Sequence, residues 1–275
     1  MAKYKILATD LDGTLLNSEA QIDGKNKKAI ERVLELGVLF VPATGRTYGE
    51  IPEYVASNPA VRYIIHSNGG VVLDTKTGKR ISFCIRKSDA RRLFDTLLKY
   101  DVHLTVRYNG VCYADPTALE EGADEYYNIE KNHINVIRQY ATFPNDFRTL
   151  IYEFDEVEVV SAYFHSDIER AAFKNEIESS SRIRAVVVGG VGLEIFDMSA
   201  GKGAALSALC DELGIDVGDS IGVGDSRNDL SMIKTAGLGL AVENAVADLK
   251  SAANAVICSN NDGVIAYILE NFLSE

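Results

Sequence analysis

Short apolar runs closed by turn residues alternate with stretches whose apolar positions recur at helical spacing, and this alternation predicts an α/β chain. The N-terminal part reads as strand 4–9, helix 24–36, strand 38–42, helix 47–56 and strand 62–66. Residues 71–73 and 80–83 read as a hairpin across the turn-rich 74–78. The pattern then changes. It predicts a helix from 88 to 100 and a hairpin pairing 103–106 with 111–114 across Asn109-Gly110, then a helix-rich stretch at 116–131. Strand 157–164, helix 167–179 and strand 185–188 follow, which suits an open sheet covered on one face. Strands resume at 192–196, 221–223, 238–241 and 255–257, and Leu206, Leu209, Cys210 and Leu213 mark a helix opened by Lys202. The organisation expected is a core in two pieces, 1–82 and 191–275, with a second domain at 83–190 inserted between them.

Four polar segments stand where such a core gathers ligands. Asp10-Leu11-Asp12-Gly13-Thr14 follows the first strand, and open α/β sheets bind ligands beyond the carboxyl ends of their parallel strands. Two carboxylates two residues apart can divide the work of nucleophile and acid/base, and they offer hard oxygens to Mg²⁺. Asp and Gly also close many ordinary strands, so this motif alone decides nothing. The second strand delivers Ala43-Thr44-Gly45-Arg46, a hydroxyl, an amide and a guanidinium that all suit phosphate. Ser220–Gly224 runs into Asp225-Ser226-Arg227-Asn228-Asp229. Lys202 opens a helix, where the macrodipole disfavours a cation by a few tenths to about 1 kcal/mol unless an anion compensates. A solvated surface lysine is the plain alternative.

Taken in chain order, with Lys202 third, the four segments resemble the motifs of the haloacid dehalogenase superfamily of phosphohydrolases, and the long insert resembles the cap of its Cof-type branch. Ser67-Asn68-Gly69-Gly70 is similar to that branch's Asn-Gly-Ala loop, and Leu193-Glu194-Ile195 ahead of Lys202 also fits. Two departures lie outside the chemistry: Gly70 replaces an alanine, and Glu243 in Ala241-Val242-Glu243-Asn244-Ala245 stands where glycine is usual. The resemblance implies a Rossmann-like parallel-sheet core with an inserted α+β cap of C2 type. It implies a Mg²⁺-dependent phosphatase in which Asp10 is the nucleophile and Asp12 the acid/base. Asp10, the Asp12 carbonyl and Asp225 would hold the metal. The Leu11 amide, Thr44, the Gly45 amide, Lys202 and Asn228 would bind phosphoryl oxygens. Asp229 would hold Lys202 or metal-bound water, with helix capping as its alternative. Ser226, Arg46 and Asn68 sit in suitable loops, yet each could equally brace the backbone.

Composition narrows the picture from the other side. With 275 residues, 47% of them hydrophobic, the chain can build sizeable cores. Cys84, Cys112, Cys210 and Cys258 are scattered without a CxxC pair and are expected as reduced packing residues. No apolar stretch reaches membrane-spanning length and no signal-peptide pattern is visible, so the expected compartment is the cytoplasm. A formal net charge of −12 argues against nucleic-acid partners, whose affinity rests on cationic contacts to phosphate. The expected partner is a small phosphorylated metabolite, such as a sugar phosphate or phosphorylated cofactor, and oligomeric state is not legible. Two rival functions share these residues: a sugar phosphomutase using the same aspartyl-phosphate, and a non-catalytic sensor of phosphometabolites.

Overall fold

The computed structural model describes residues 3–178, 182–188 and 192–273. Its first stretch runs β1 (Ile6–Thr9), α1 (Gly24–Glu35), β2 (Leu39–Pro42), α2 (Glu53–Ala56), β3 (Tyr63–His66), β4 (Val71–Asp74) and β5 (Arg80–Ser82). All of β1 is buried, as a strand covered on both faces requires. Asp23 caps α1 by accepting the Asn26 amide at 2.7 Å, and Ala29, Ile30 and Val33 form its buried stripe. The single helix expected over 47–56 is instead a 3₁₀ turn at Tyr48–Glu50 followed by the short α2. Pro52 is the reason, because it lacks an amide and turns the residue before it away from helical geometry.

The chain continues through β6 (Ile85–Arg86), α3 (Lys87–Leu97), β7 (Val102–Tyr108), β8 (Val111–Ala114), α4 (Ala123–Tyr126), α5 (Lys131–Tyr140) and α6 (Phe147–Leu150). It then forms β9 (Glu156–Val157), β10 (Val159–Phe164), α7 (Asp167–Glu178), β11 (Ile183–Val188) and β12 (Gly192–Asp197). Five of these strands make an antiparallel sheet in the order β11-β12-β10-β7-β8. The β7–β8 turn has left-handed φ at both Asn109 (51°) and Gly110 (75°), the mirror-image turn that matches strand twist. The expected strand 157–164 is divided: β9 pairs with β6, while β10 enters the larger sheet. Helix α5 begins where the helix-rich stretch was expected to end.

Two further expectations are corrected. The strand at 192–197 does not resume the first sheet but pairs antiparallel with β10 and β11. Its alternation of buried Leu193 and Ile195 with half-buried Glu194 is that of an antiparallel strand rather than a doubly covered parallel one. This sheet also carries apolar clusters on both faces, not one. Leu104, Val106, Ala162, Leu193 and Ile195 pack with Phe94 and Phe173, whereas Ala114 and Tyr163 join Ala118, Ala123, Ile134 and Ile137.

The remaining elements are α8 (Lys202–Leu213), β13 (Ser220–Gly224), α9 (Leu230–Thr235), β14 (Leu238–Ala241), α10 (Ala247–Ala252), β15 (Ala255–Val256) and α11 (Val264–Ile268). A parallel sheet ordered β15-β14-β13-β1-β2 results, the α/β core expected from the pattern. Thr9 lies opposite both Val223 and Pro42. The three adjacent strands therefore end level, and Asp10, Ala43 and Asp225 leave from one edge. β3, β4 and β5 form a separate antiparallel sheet, tied to the loop after β2 by a bridge between Ala43 and Ile65.

The chain divides into two compact units. One comprises Met1–Arg46, Ile51–Ser82 and Ala200–Glu275, the other Thr47–Glu50 and Phe83–Ser199. All four cysteines are free thiols, with Cys84, Cys112 and Cys210 buried. No described helix is long and apolar enough to cross a membrane.

Phe173 is fully buried and meets Tyr100 and Phe164 at ring-centroid distances of 5.8 and 5.3 Å. Phe173→Ala is expected to destabilise the second unit by about 3–5 kcal/mol, the usual cost of deleting a buried aromatic ring. Urea unfolding followed by tyrosine fluorescence checks this, and a loss below about 1 kcal/mol would contradict the packing described.

Candidate active site

Asp10 extends β1 by one residue, its amide donating to the Val223 carbonyl at 3.0 Å, before the chain turns through Leu11–Leu15. Gly13 sits in that turn with φ of +73°, and a side chain there would bring a Cβ within 2.5 Å of Asp225 Oδ2. Only glycine satisfies both the left-handed backbone and the close approach. The turn accordingly presses against the loop that follows β13. Leu11 is fully buried within it.

Lys202 begins α8 and its side chain is fully buried. Its Nζ donates to Asp10 Oδ1 at 2.6 Å and to Asp229 Oδ1 at 2.5 Å. The compensating anion that a lysine needs at a helix N-terminus is thus present twice. Burial works against the ammonium, but the charges of Asp10 and Asp229 outweigh it and hold its pKa above the ordinary lysine value. Asp229 Oδ2 accepts the amides of Asp225 and Ser226 at 3.1 and 3.0 Å, and Ser226 and Asp229 form a reciprocal capping box. Asp229 is thereby fully engaged.

Asp10, Asp225 and Asp229 each place a carboxylate oxygen within 4.8 Å of the others. Burial, and then the charge of Asp229, push Asp10 well above the usual carboxylate range despite the opposing pull of Lys202. Asp225 is pushed up to about 6, again by burial first and by Asp229 second. Three carboxylates facing one ammonium leave an excess of buried negative charge. Asp225 Oδ1 is moreover buried without a hydrogen-bond partner. A divalent cation that favours carboxylate oxygens fits both observations.

The other loops complete the rim. Ala43 donates to the Thr9 carbonyl at 2.7 Å, so the backbone after β2 stays in step with β1. Thr44 is buried and its Oγ1 accepts the Arg46 amide at 3.1 Å, while its carbonyl accepts the Asn68 amide. A Cβ on Gly45 would lie 2.8 Å from Asn68 Oδ1. The Arg46 guanidinium forks onto Asp12, Nε to Oδ2 at 2.8 Å and Nη2 to Oδ1 at 2.7 Å, and the Asp12 side chain is 54% exposed. Asn228 Nδ2 donates to Asn68 Oδ1 at 2.9 Å, and the Ser226 hydroxyl donates to Asn228 Oδ1 at 2.6 Å.

The expected residues therefore fall into three groups. Asp10, Lys202, Asp225 and Asp229 form one buried charge cluster, Arg46 pairs with Asp12, and Asn68 joins Asn228. Thr44 and Ser226 use their hydroxyls within or between neighbouring loops. Asn244 and Asn260, unassigned from the sequence, also reach the first turn: Asn244 Nδ2 donates to the Gly13 carbonyl at 2.7 Å and Asn260 Nδ2 to the Leu16 carbonyl at 2.9 Å. The sequence signal available for Asn244 was its place beside Glu243 in a segment already singled out.

Comparison with known proteins shows the family. The family model of the haloacid dehalogenase-like hydrolases matches residues 7–269. The 5-amino-6-(5-phospho-D-ribitylamino)uracil phosphatase YwtE of Bacillus subtilis is 30% identical, with 98% of each chain covered. Phosphatase YwpJ of the same organism is 27% identical over 98% of this chain and 100% of its own. A solved haloacid dehalogenase-like hydrolase from B. subtilis superposes with a TM-score of 0.78 at 26% identity, covering 98% of this chain and 100% of that one. A parallel sheet that gathers Asp10, Lys202 and Asp225 at one edge, in a chain matched nearly end to end, is that of an enzyme belonging to the haloacid dehalogenase-like hydrolase family.

Proposed function

We propose that the chain is a Mg²⁺-dependent phosphatase of small phosphorylated metabolites, working through an aspartyl-phosphate on Asp10. The observation that carries this reading is the buried Asp10 carboxylate held 2.6 Å from Lys202, two residues before an accessible second carboxylate. Asp10 attacks phosphorus in line, and the bond from phosphorus to the ester oxygen breaks. Asp12 gives the departing alkoxide a proton. Water then attacks the aspartyl-phosphate and loses its proton to Asp12, so one residue serves as acid and base in turn. For this exchange Arg46 releases at least one oxygen of its fork.

Lys202, Thr44, Asn228 and the amides of Leu11 and Gly45 supply donors for the phosphoryl oxygens. Asp229 keeps Lys202 aimed at Asp10. The carboxylates of Asp10 and Asp225, with the Asp12 carbonyl, would hold Mg²⁺, whose charge lets an anionic phosphate approach a carboxylate. The second unit is proposed as the cap that reads the leaving group, and the cytoplasm as the compartment. The B. subtilis relative named for a phosphoribityl compound makes that substrate class a natural member of the first panel.

Phosphate release from sugar phosphates, nucleotides and phosphorylated cofactors is expected with Mg²⁺ and lost with EDTA. Asp10→Asn is expected to abolish it, by at least about 10³-fold, while leaving the circular dichroism spectrum intact. Full turnover by that folded variant would remove the covalent mechanism, and an isomeric phosphate ester without free phosphate would mark a mutase.

Asp12→Ala is expected to slow alkyl phosphates by about 10²–10⁴-fold. With an aryl phosphate, whose leaving group needs no acid, the same variant should accumulate phosphorylated Asp10, visible as an 80 Da gain in intact mass (one HPO₃). Normal turnover of alkyl phosphates would show that another group moves the protons.

A further inference from the structure

The segment from Val242 to Val246 touches both acidic loops at once. Its backbone follows the edge of the parallel sheet, with the Val242 amide donating to the Gly224 carbonyl at 3.2 Å. Four residues on, the Val246 amide donates to the Asp225 carbonyl at 2.8 Å. Between these two anchors Asn244 reaches the other way, donating Nδ2 to the Gly13 carbonyl at 2.7 Å. One short turn therefore holds the loop of Asp225 through its backbone and the turn of Asp10 and Asp12 through a side chain.

Asn244 is itself fixed. Its Oδ1 accepts the Asn260 amide at 3.0 Å, which settles which end of the carboxamide faces Gly13. Asn260 is buried, and its own Nδ2 donates to the Leu16 carbonyl at 2.9 Å. The two asparagines thus close a ring of hydrogen bonds around the turn from Gly13 to Leu16. At the point they grip, spacing is tight: any Cβ at Gly13 would fall 2.5 Å from Asp225 Oδ2. A small displacement of the Gly13 peptide changes how far the Asp12 backbone and the Asp10 carboxylate stand from Asp225.

We infer that Asn244 is a positioning residue that sets the spacing between the Asp10–Gly13 turn and the Asp225 loop, and with it the affinity for a divalent cation. The inference rests on the proposed Mg²⁺-dependent reading of the site. Asn244 touches neither substrate nor metal in this account. It acts through the Gly13 carbonyl, and its exposed position makes it a minor contributor to overall stability.

Calorimetric titration of Mg²⁺ into the metal-free full chain tests this without relying on turnover. Asn244→Ala is expected to weaken Mg²⁺ binding by about 10-fold or more, the scale on which residues orienting metal ligands act, and to lower kcat at saturating Mg²⁺. Asn244→Ser, whose hydroxyl is too short to make the same reach, should behave alike and guards against a fold defect peculiar to one variant. Asn261→Ala is the control. Asn261 Oδ1 accepts the amide and hydroxyl of Ser18, both at 2.9 Å, so it braces the neighbouring chain without gripping Gly13. That variant should bind Mg²⁺ within about twofold of the wild type. Wild-type Mg²⁺ affinity and kcat in both Asn244 variants, or an equal loss in Asn261→Ala, would overturn the inference while the inactivity of Asp10→Asn left the phosphatase reading standing. A wild-type chain that binds no Mg²⁺ would overturn both.

Discussion

The ammonium of Lys202, buried between Asp10 and Asp229, is the interaction on which the rest of the first unit turns. A lone charge in that position would cost several kcal/mol, and the two carboxylates would repel each other without it. Its presence reconciles a helix N-terminus, the end of β1 and the loop after β13 at one point. Asp229 in turn gathers the Asp225 and Ser226 amides, so the loop carrying Asp225 is held by the same charge that steadies Asp10. Burial here serves geometry more than stability. An apolar trio could fill the space, but it would not fix the Asp10 carboxylate as the two-sided contact of Lys202 does.

How much of this was legible in the sequence varies from residue to residue. Lys202 drew notice because a cation at a helix start is a local misfit that a tertiary anion relieves, although solvent could also have accommodated it. The strand ends were readable because Tyr4 to Thr9, Val38 to Val41 and Ser220 to Gly224 are apolar runs that stop at polar turns. The Arg46 fork onto Asp12 was not readable. The pair lie 34 positions apart in the chain, and either could have faced solvent or phosphate. Asn244 was hidden for a related reason, since an asparagine three residues beyond a strand looks like any turn residue until its partner carbonyl is known.

The departures of the fold from the sequence pattern have equally specific causes. Leu193-Glu194-Ile195 was assigned to the parallel sheet by its order in the chain, yet strand membership is decided by the neighbouring strand, which sequence order does not reveal. The helix expected over 47–56 ran through Gly49 and Pro52, and apolar spacing alone does not register the missing proline amide. Helix α5 begins at Lys131, where the helix-rich stretch was expected to end, and its buried apolar positions are Ile134 and Ile137.

The pairing of β1 with β13 also bears on how the chain assembles. Asp10 and Lys202 meet although they lie 192 positions apart in the chain, and Lys5 and Asp219 lie 214 apart. During synthesis β2 follows β1 closely, but the other edge of β1 stays open until the chain has been made through β13. Contacts of such long range are slow to form, and a waiting apolar strand edge is a site for wrong pairings. The intervening unit has its own sheet and its own apolar clusters, so it can condense first and shorten the gap that the ends must close. The Asp10–Lys202 pair therefore closes only when the segments after the second unit dock against β1.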